Sequence, residues 1–177
     1  TGLTNILIFF LQESLNWTTK ASSGTLVVVG IIAIIVQGGL IGPLVKQFGE
    51  MRLTLIGSGF ILVACALLIT APKENATINI YSAVSFLAVG AGLITPTLRA
   101  LISKKLDVDK QGSILSNLQG LQSLGGVLGI AMAGKVYDSF GPKSPFIAGS
   151  VILLFMIYLI AEGKSNNSFN NQKSKVF

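Results

Sequence analysis

Few residues in this chain are equipped for chemistry, and most of them are uncharged. Gln37, Ser82, Ser85, Thr95, Gln119, Gln122 and Ser123 are polar side chains set inside long apolar runs. At such depth an amide or hydroxyl has two uses: it bonds to a neighbouring helix, or it lines the path of a solute. Ser82, Ser85, Gly92 and Arg99 recur at spacings of 3, 7 and 7, which places them on one face of a helix. Ser116, Gln119, Ser123 and Gly126 share a face in the same way. For the serines and threonines, bonding between helices is the first expectation, with Ser85, Thr95 and Ser123 kept as cavity candidates. Gln37 and Gln119 have long polar arms that cost more to bury, so a cavity wall suits them as well as a helix interface does. Arg99, Lys104 and Lys105 read as anchors whose charged ends snorkel to the membrane surface.

Other chemistry is excluded by what is missing. The chain has no histidine and one cysteine, Cys65, inside an apolar run. Disulfides, zinc clusters and imidazole acid–base catalysis within the chain are ruled out, and neither a metal nor a cofactor is expected. Glu13, Glu50, Glu74, Asp107, Asp109, Asp138 and Glu162 all fall at the ends of apolar runs or between them. Without paired carboxylates or a Ser–Lys dyad at depth, an enzyme is not expected. A carboxylate buried in the membrane is the usual proton carrier, because desolvation lifts its pKa toward the working pH. Proton coupling would require that group to lie outside these runs.

The elements that position these side chains follow from composition. Hydrophobic residues are 51% of the 177 and charged residues 11%, against about 25% charged in a soluble domain, so water cannot be the solvent of most of the surface. The mean hydropathy of +0.72 agrees. The apolar runs also lack the polar stripe that a soluble amphipathic helix carries. About 20 apolar residues cross a bilayer core of roughly 30 Å, and the runs 23–45, 53–71, 79–98, 112–136 and 145–161 meet that length. The run 3–11 is too short and reads as the second half of a span whose first half is missing. No charged segment precedes Thr1, so it does not read as a signal peptide. Membrane lipid is the surrounding partner. Nucleic acid is not one, because the net charge of +6 comes from basic residues at the ends of the runs rather than in a patch with aromatics.

Orientation follows from the basic residues between spans. Lys46, Arg52, Arg99, Lys104, Lys105, Lys110, Lys164, Lys173 and Lys175 fall on one side, and Lys20, Lys73, Lys135 and Lys143 on the other. The richer side is expected to be cytoplasmic, in a multi-pass protein of a cell membrane. Two regions result: a transmembrane bundle over 1–161 and a polar cytoplasmic tail over 162–177, Asn-rich and expected to be disordered. Asn75-Ala76-Thr77 is a glycosylation sequon on the outer side.

Two segments repeat. The first runs Gly42-Pro-Leu-Val-Lys46-Gln-Phe-Gly49-Glu-Met-Arg52, and the second Gly134-Lys-Val-Tyr-Asp138-Ser-Phe-Gly141-Pro-Lys143. A shift of 92 residues superposes Gly42 on Gly134, Leu44 on Val136, Phe48 on Phe140 and Gly49 on Gly141. Three spans separate the copies, so they lie on opposite sides of the membrane, the pattern of an inverted-topology repeat in many secondary transporters. The plainer account is that glycine and phenylalanine often end membrane helices.

On these segments the chain resembles the major facilitator superfamily, in its second six-helix half. The first segment is similar to that family's loop motif Gly-x-Leu-x-Asp-Arg-x-Gly-x-Arg through Gly42, Leu44 and Gly49. Lys46 and Gln47 depart from it, and Met51 takes the last basic position with Arg52 one residue late. Gly92-Leu-Ile-Thr-Pro-Thr-Leu-Arg-Ala resembles the tenth helix of the drug and tetracycline efflux branch, and Gly126-Val-Leu-Gly129 its eleventh, with Ile130 where a proline is usual. The resemblance implies an all-α membrane protein, a six-helix half-bundle of 3+3 inverted repeats with its first helix truncated and a missing N-terminal half as partner. It places Asn5 beside the central cavity. It also makes Gly42, Lys46, Gly49 and Arg52, with Asp138 and Gly141 in the second copy, a latch that biases which way the cavity faces. It implies a secondary transporter moving a small-molecule substrate by alternating access, with proton-coupled efflux of amphipathic or drug-like compounds as the finer expectation. A non-transporting six-helix assembly or anchor protein is the alternative. Gly125 and Gly129, like Gly30 and Gly38, are expected to let helices approach closely.

Overall fold

In hydrocarbon a backbone must satisfy its own polar groups, and an uninterrupted apolar run does so as a helix. The computed structural model describes residues 19–70, 76–104 and 108–173, which are helical with no strand among them. Helix α1 (Thr19–Ile35) passes through one π-helical turn (Val36–Leu40) into α2 (Ile41–Phe48). Helices α3 (Glu50–Thr70), α4 (Ala76–Ser103), α5 (Val108–Phe140) and α6 (Ser144–Lys173) follow. All five full-length spans expected from sequence are therefore helices. The segment 3–11 with Asn5, and the sequon residue Asn75, lie outside the described residues.

The bundle is organised around α3 and α4, which meet through their smaller and less apolar faces. Buried residues on α3 include Thr54, Gly57, Ser58, Ile61, Ala64, Cys65 and Leu68, a stripe at helical spacing. At the crossing the two backbones touch. A Cβ on Gly90 would lie 2.6 Å from the Gly57 carbonyl oxygen, and one on Gly57 would lie 3.0 Å from that of Gly90. Nearby, the Thr54 and Thr97 hydroxyls sit 3.0 Å apart in a buried contact. Whichever donates across, the other donates within its own helix, Thr54 to the Glu50 carbonyl at 2.9 Å or Thr97 to that of Leu93 at 2.7 Å. Such bonds contribute about 0.6 kcal/mol on average in a membrane, so packing dominates. Helix α6 docks on this pair through Phe146, 1% exposed, within the cluster that holds Ile61, Cys65, Leu68, Ile80 and Val84.

Three described segments are long and apolar enough to cross a membrane: Ser23–Phe48, Glu50–Thr70 and Thr77–Ser103, while the apolar part of α6 is the shorter Ser144–Ile160. Helix α5 is long, but Gln111, Gln119, Gln122 and its serines dilute its apolar character. Polar side chains of this kind face a bundle interior or a cavity rather than lipid. The tail departs from the expected disorder: α6 continues through Lys173. Each residue added to an existing helix gains a hydrogen bond, so the change in composition at Glu162 does not end the helix.

Candidate functional site

Most of the bundle's outer surface is apolar, as at Ile34, 73% exposed, and Leu121 and Ile152, both 67% exposed. Against it stand exposed polar side chains on three helices: Gln37 on the π turn, Thr95 and Arg99 on α4, and Gln119, Gln122 and Ser123 on α5. They converge on one side of α4. Arg99 Nη2 donates to Gln119 Oε1, and also to Gln122 Oε1 at 3.5 Å. Ser123 Oγ donates to the Gln119 carbonyl at 3.0 Å. On the other flank, Gly92 shares the Arg99 face of α4, and a Cβ there would meet Val36 Cγ1 at 3.2 Å and Gln37 Nε2 at 3.9 Å.

The backbone is loosened where these flanks meet. The N–H of Ile41 bonds to the Val36 carbonyl, five residues back, around the Gly38–Gly39 pair. A π turn of this type re-aims its side chains and is frequent at functional sites. In α4, Pro96 has no N–H to offer the Gly92 carbonyl, although the helix runs through it. The π turn of α1–α2 and the proline break of α4 therefore lie side by side. A groove of about 300 Å³, lined by Val36, Leu40, Phe48, Leu53 and Leu93 among others, opens between α1–α2, α3 and α4. Its lining is wholly apolar, so it supplies volume without orientation.

Several expectations need correction. Arg99 is not a free anchor: on a helix the Cα–Cβ bond leans toward the N-terminus, and the Arg99 guanidinium reaches across to Gln119 and Gln122 of α5. The serines bond within their own helices rather than across: Ser82 to the Ile78 carbonyl at 2.9 Å and Ser85 to that of Tyr81 at 2.7 Å. Gly125, Gly129, Gly30 and Gly38 meet nothing within 4 Å in this chain, and the close approaches are at Gly57, Gly90 and Gly92 instead. Among the described residues, no helix covers the first four.

The repeat is visible in the backbone. Gly49 and Gly141 are the described glycines with positive φ, at 76° and 89°. The N–H of Gly49 bonds to the Val45 carbonyl at 2.9 Å, and that of Gly141 to Tyr137 at 2.8 Å. Val45 and Tyr137 are themselves 92 residues apart, the shift that aligns the two segments. Gly42, in contrast, sits inside α2, and the sharp turn is at Gly49 alone. Lys46 lies in the last turn of α2, where a cation favours the helix dipole. The carboxylate of Glu50 pairs with Lys104 at the end of α4, not with Lys46. Arg52 and Asp138 are exposed.

Sequence reasoning did not single out Thr54 and Thr97, nor the Arg99–Gln122 contact. The signal for the threonines was present: in a uniformly apolar helix, small and polar residues at spacings of three and four mark the packed face.

The arrangement holds donors, acceptors and one fixed positive charge, with no metal-ligand cluster among the described residues. It can bind and orient. Comparison with known proteins agrees. Residues 1–130 match the family model of the Major Facilitator Superfamily. The chain is 26% identical over 130 residues to the class C tetracycline resistance protein of Escherichia coli, covering 73% of this chain and 32% of that protein. It is 28% identical over 161 residues to the class G tetracycline resistance protein of Vibrio anguillarum, covering 86% and 39%. Hippocampus abundant transcript 1 protein of Homo sapiens is 23% identical over 139 residues, 78% of this chain and 28% of that protein. The chain thus spans about a third of the length of these relatives. No solved structure matches it significantly. With its all-helical inverted repeat and a family match covering most of its length, the chain belongs to the Major Facilitator Superfamily.

Proposed function

We propose that this chain forms one half of a secondary transporter that moves amphipathic small molecules out across a cell membrane by alternating access. The observation that carries the proposal is the polar face of α4, flanked by Gln37 and by Gln119 and Gln122, on the outside of a half-bundle that is otherwise apolar. Exposed to hydrocarbon, such a face would be costly. Set against a second half across a water-filled cavity, it becomes the wall of a binding site. Relatives named for tetracycline resistance favour export and drug-like solutes.

In this reading Gly125 and Gly129 pack against the facing half, and the glycine hinges Gly49 and Gly141 stand at the two ends of the rocking unit. Arg52 and Lys46 lie at the cytoplasmic surface with the C-terminal tail. Asn5 joins the cavity from the preceding helix. Proton coupling would use a carboxylate in the facing half, because Glu50 is committed to Lys104 at a helix end and Asp138 is exposed at another.

The test is transport by the intact protein in liposomes, against the 177-residue chain alone. Solute uptake into inside-out vesicles should require the intact protein. If neither preparation moves any of a panel of amphipathic solutes, although the intact protein is inserted, the anchor or assembly role replaces the transporter.

A further inference from the structure

Arg99 has a structural peculiarity that packing does not explain. It is permanently charged, it reaches across to the next helix, and its side-chain partners are two neutral amides, Gln119 and Gln122. The ion pair among the described residues joins Glu50 and Lys104 instead. Arg99 lies four residues from the end of α4, or about 6 Å along the helix axis, and Gln119 lies eleven residues into α5, or about 16 Å, at 1.5 Å per residue. The guanidinium therefore bridges the last turns of α4 to the body of α5.

A cation in a membrane-spanning helix is expensive and marks a functional pathway when it persists. The glutamine carbonyls orient the guanidinium and take up part of its five-donor fork, but being neutral they do not compensate its charge, and no carboxylate among the described residues pairs with it. The remaining donors stay accessible, because Arg99, Gln119 and Gln122 are all exposed. A planar fork held this way matches a carboxylate or another delocalised oxyanion. The glutamine NH₂ groups are free to donate to the same anion, since their oxygens face the arginine.

We propose that Arg99, held by Gln119 and Gln122, is the anion-binding subsite of the cavity, and that the transported solutes include amphipathic molecules bearing one acidic group. This rests on the transporter reading for its cargo, but binding can be measured without transport.

The probe is an anthracene carboxylate, compared with its uncharged methyl ester. Binding to the intact protein in detergent is read by fluorescence anisotropy, and transport is read separately in liposomes. The wild type should bind the acid roughly tenfold or more tightly than the ester, the scale of a charge-assisted hydrogen-bonded pair. Arg99→Gln should abolish that preference, bringing acid affinity down to that of the ester. Arg99→Lys should restore part of it, and Gln119→Leu should weaken acid binding several-fold by releasing the fork. Equal wild-type affinity for acid and ester would overturn the proposal. So would an Arg99→Gln variant that loses both probes together, which would mean that Arg99 pairs with a carboxylate of the facing half. An acid preference lost in Arg99→Gln, with no transport of either probe while other solutes of the panel move, would uphold the subsite and overturn the acidic cargo. Transport of both probes without an acid preference would do the reverse.

Discussion

At the scale of single residues, space decides what each glycine does. Gly90 and Gly59 both lie inside apolar helices, yet a methyl group on Gly90 would collide with the Gly57 backbone while one on Gly59 would meet nothing within 4 Å. Gly90→Ala should therefore force α3 and α4 apart and destabilise the bundle by about 1–3 kcal/mol. Gly59→Ala should be neutral or slightly stabilising, because alanine is the better helix former. Thermal unfolding in detergent separates the two. Equal effects would show that the crossing is not the tight joint of the bundle. This contrast was not legible in the sequence, where Gly57 and Gly59 stand two residues apart just as Gly90 and Gly92 do, and the wider-spaced Gly125 and Gly129 drew attention. Spacing within one helix reveals a face, but it does not tell which neighbour covers that face. The same limit applies to Arg99 and Gln119. Each was placed on a polar face of its own helix, and only the rotation of α4 against α5 brings the two together.

At the scale of elements, the two copies of the repeat behave alike where the backbone demands it. Gly49 ends α2 and Gly141 ends α5, each with positive φ and a closing bond to the carbonyl four residues earlier. A side chain in that left-handed region costs roughly 1–2 kcal/mol, and more when β-branched. Gly49→Val and Gly141→Val should both destabilise by at least that amount, whereas Gly42→Ala and Gly134→Ala, inside helices and in open space, should not. Unfolding midpoints for the four variants check this, and a tolerant Gly141 would break the equivalence of the copies. The helices themselves were legible because an apolar run of sufficient length has one way to satisfy its backbone. The continuation of α6 through Lys173 was not legible, because a polar composition is compatible with either helix or coil.

At the scale of the whole molecule, three helices separate the repeat copies, so Lys104 and Lys143 fall at opposite ends of the bundle. The charge bias predicts a cytoplasmic Lys104 end. Cys65 is the one cysteine of the 177 residues, so a Cys65→Ala background leaves this part of the protein without a native thiol to confuse labelling. On it, Lys143→Cys should react with a membrane-impermeant maleimide on intact cells. Lys104→Cys should react only after permeabilisation. The opposite pattern would invert the assigned orientation.

The contact between α3 and α4 has a further consequence for the order in which the bundle is made. Its two partners are consecutive in the chain, joined across residues 71–75, so little chain entropy is spent in bringing them together. The most exacting fit, backbone against backbone at Gly57 and Gly90, is thus made by nearest neighbours as they leave the ribosome. Their register can be set without any residue of α5. Helices α5 and α6 then arrive at a surface that is already fixed, with Arg99 on one face of it and the pocket for Phe146 on another.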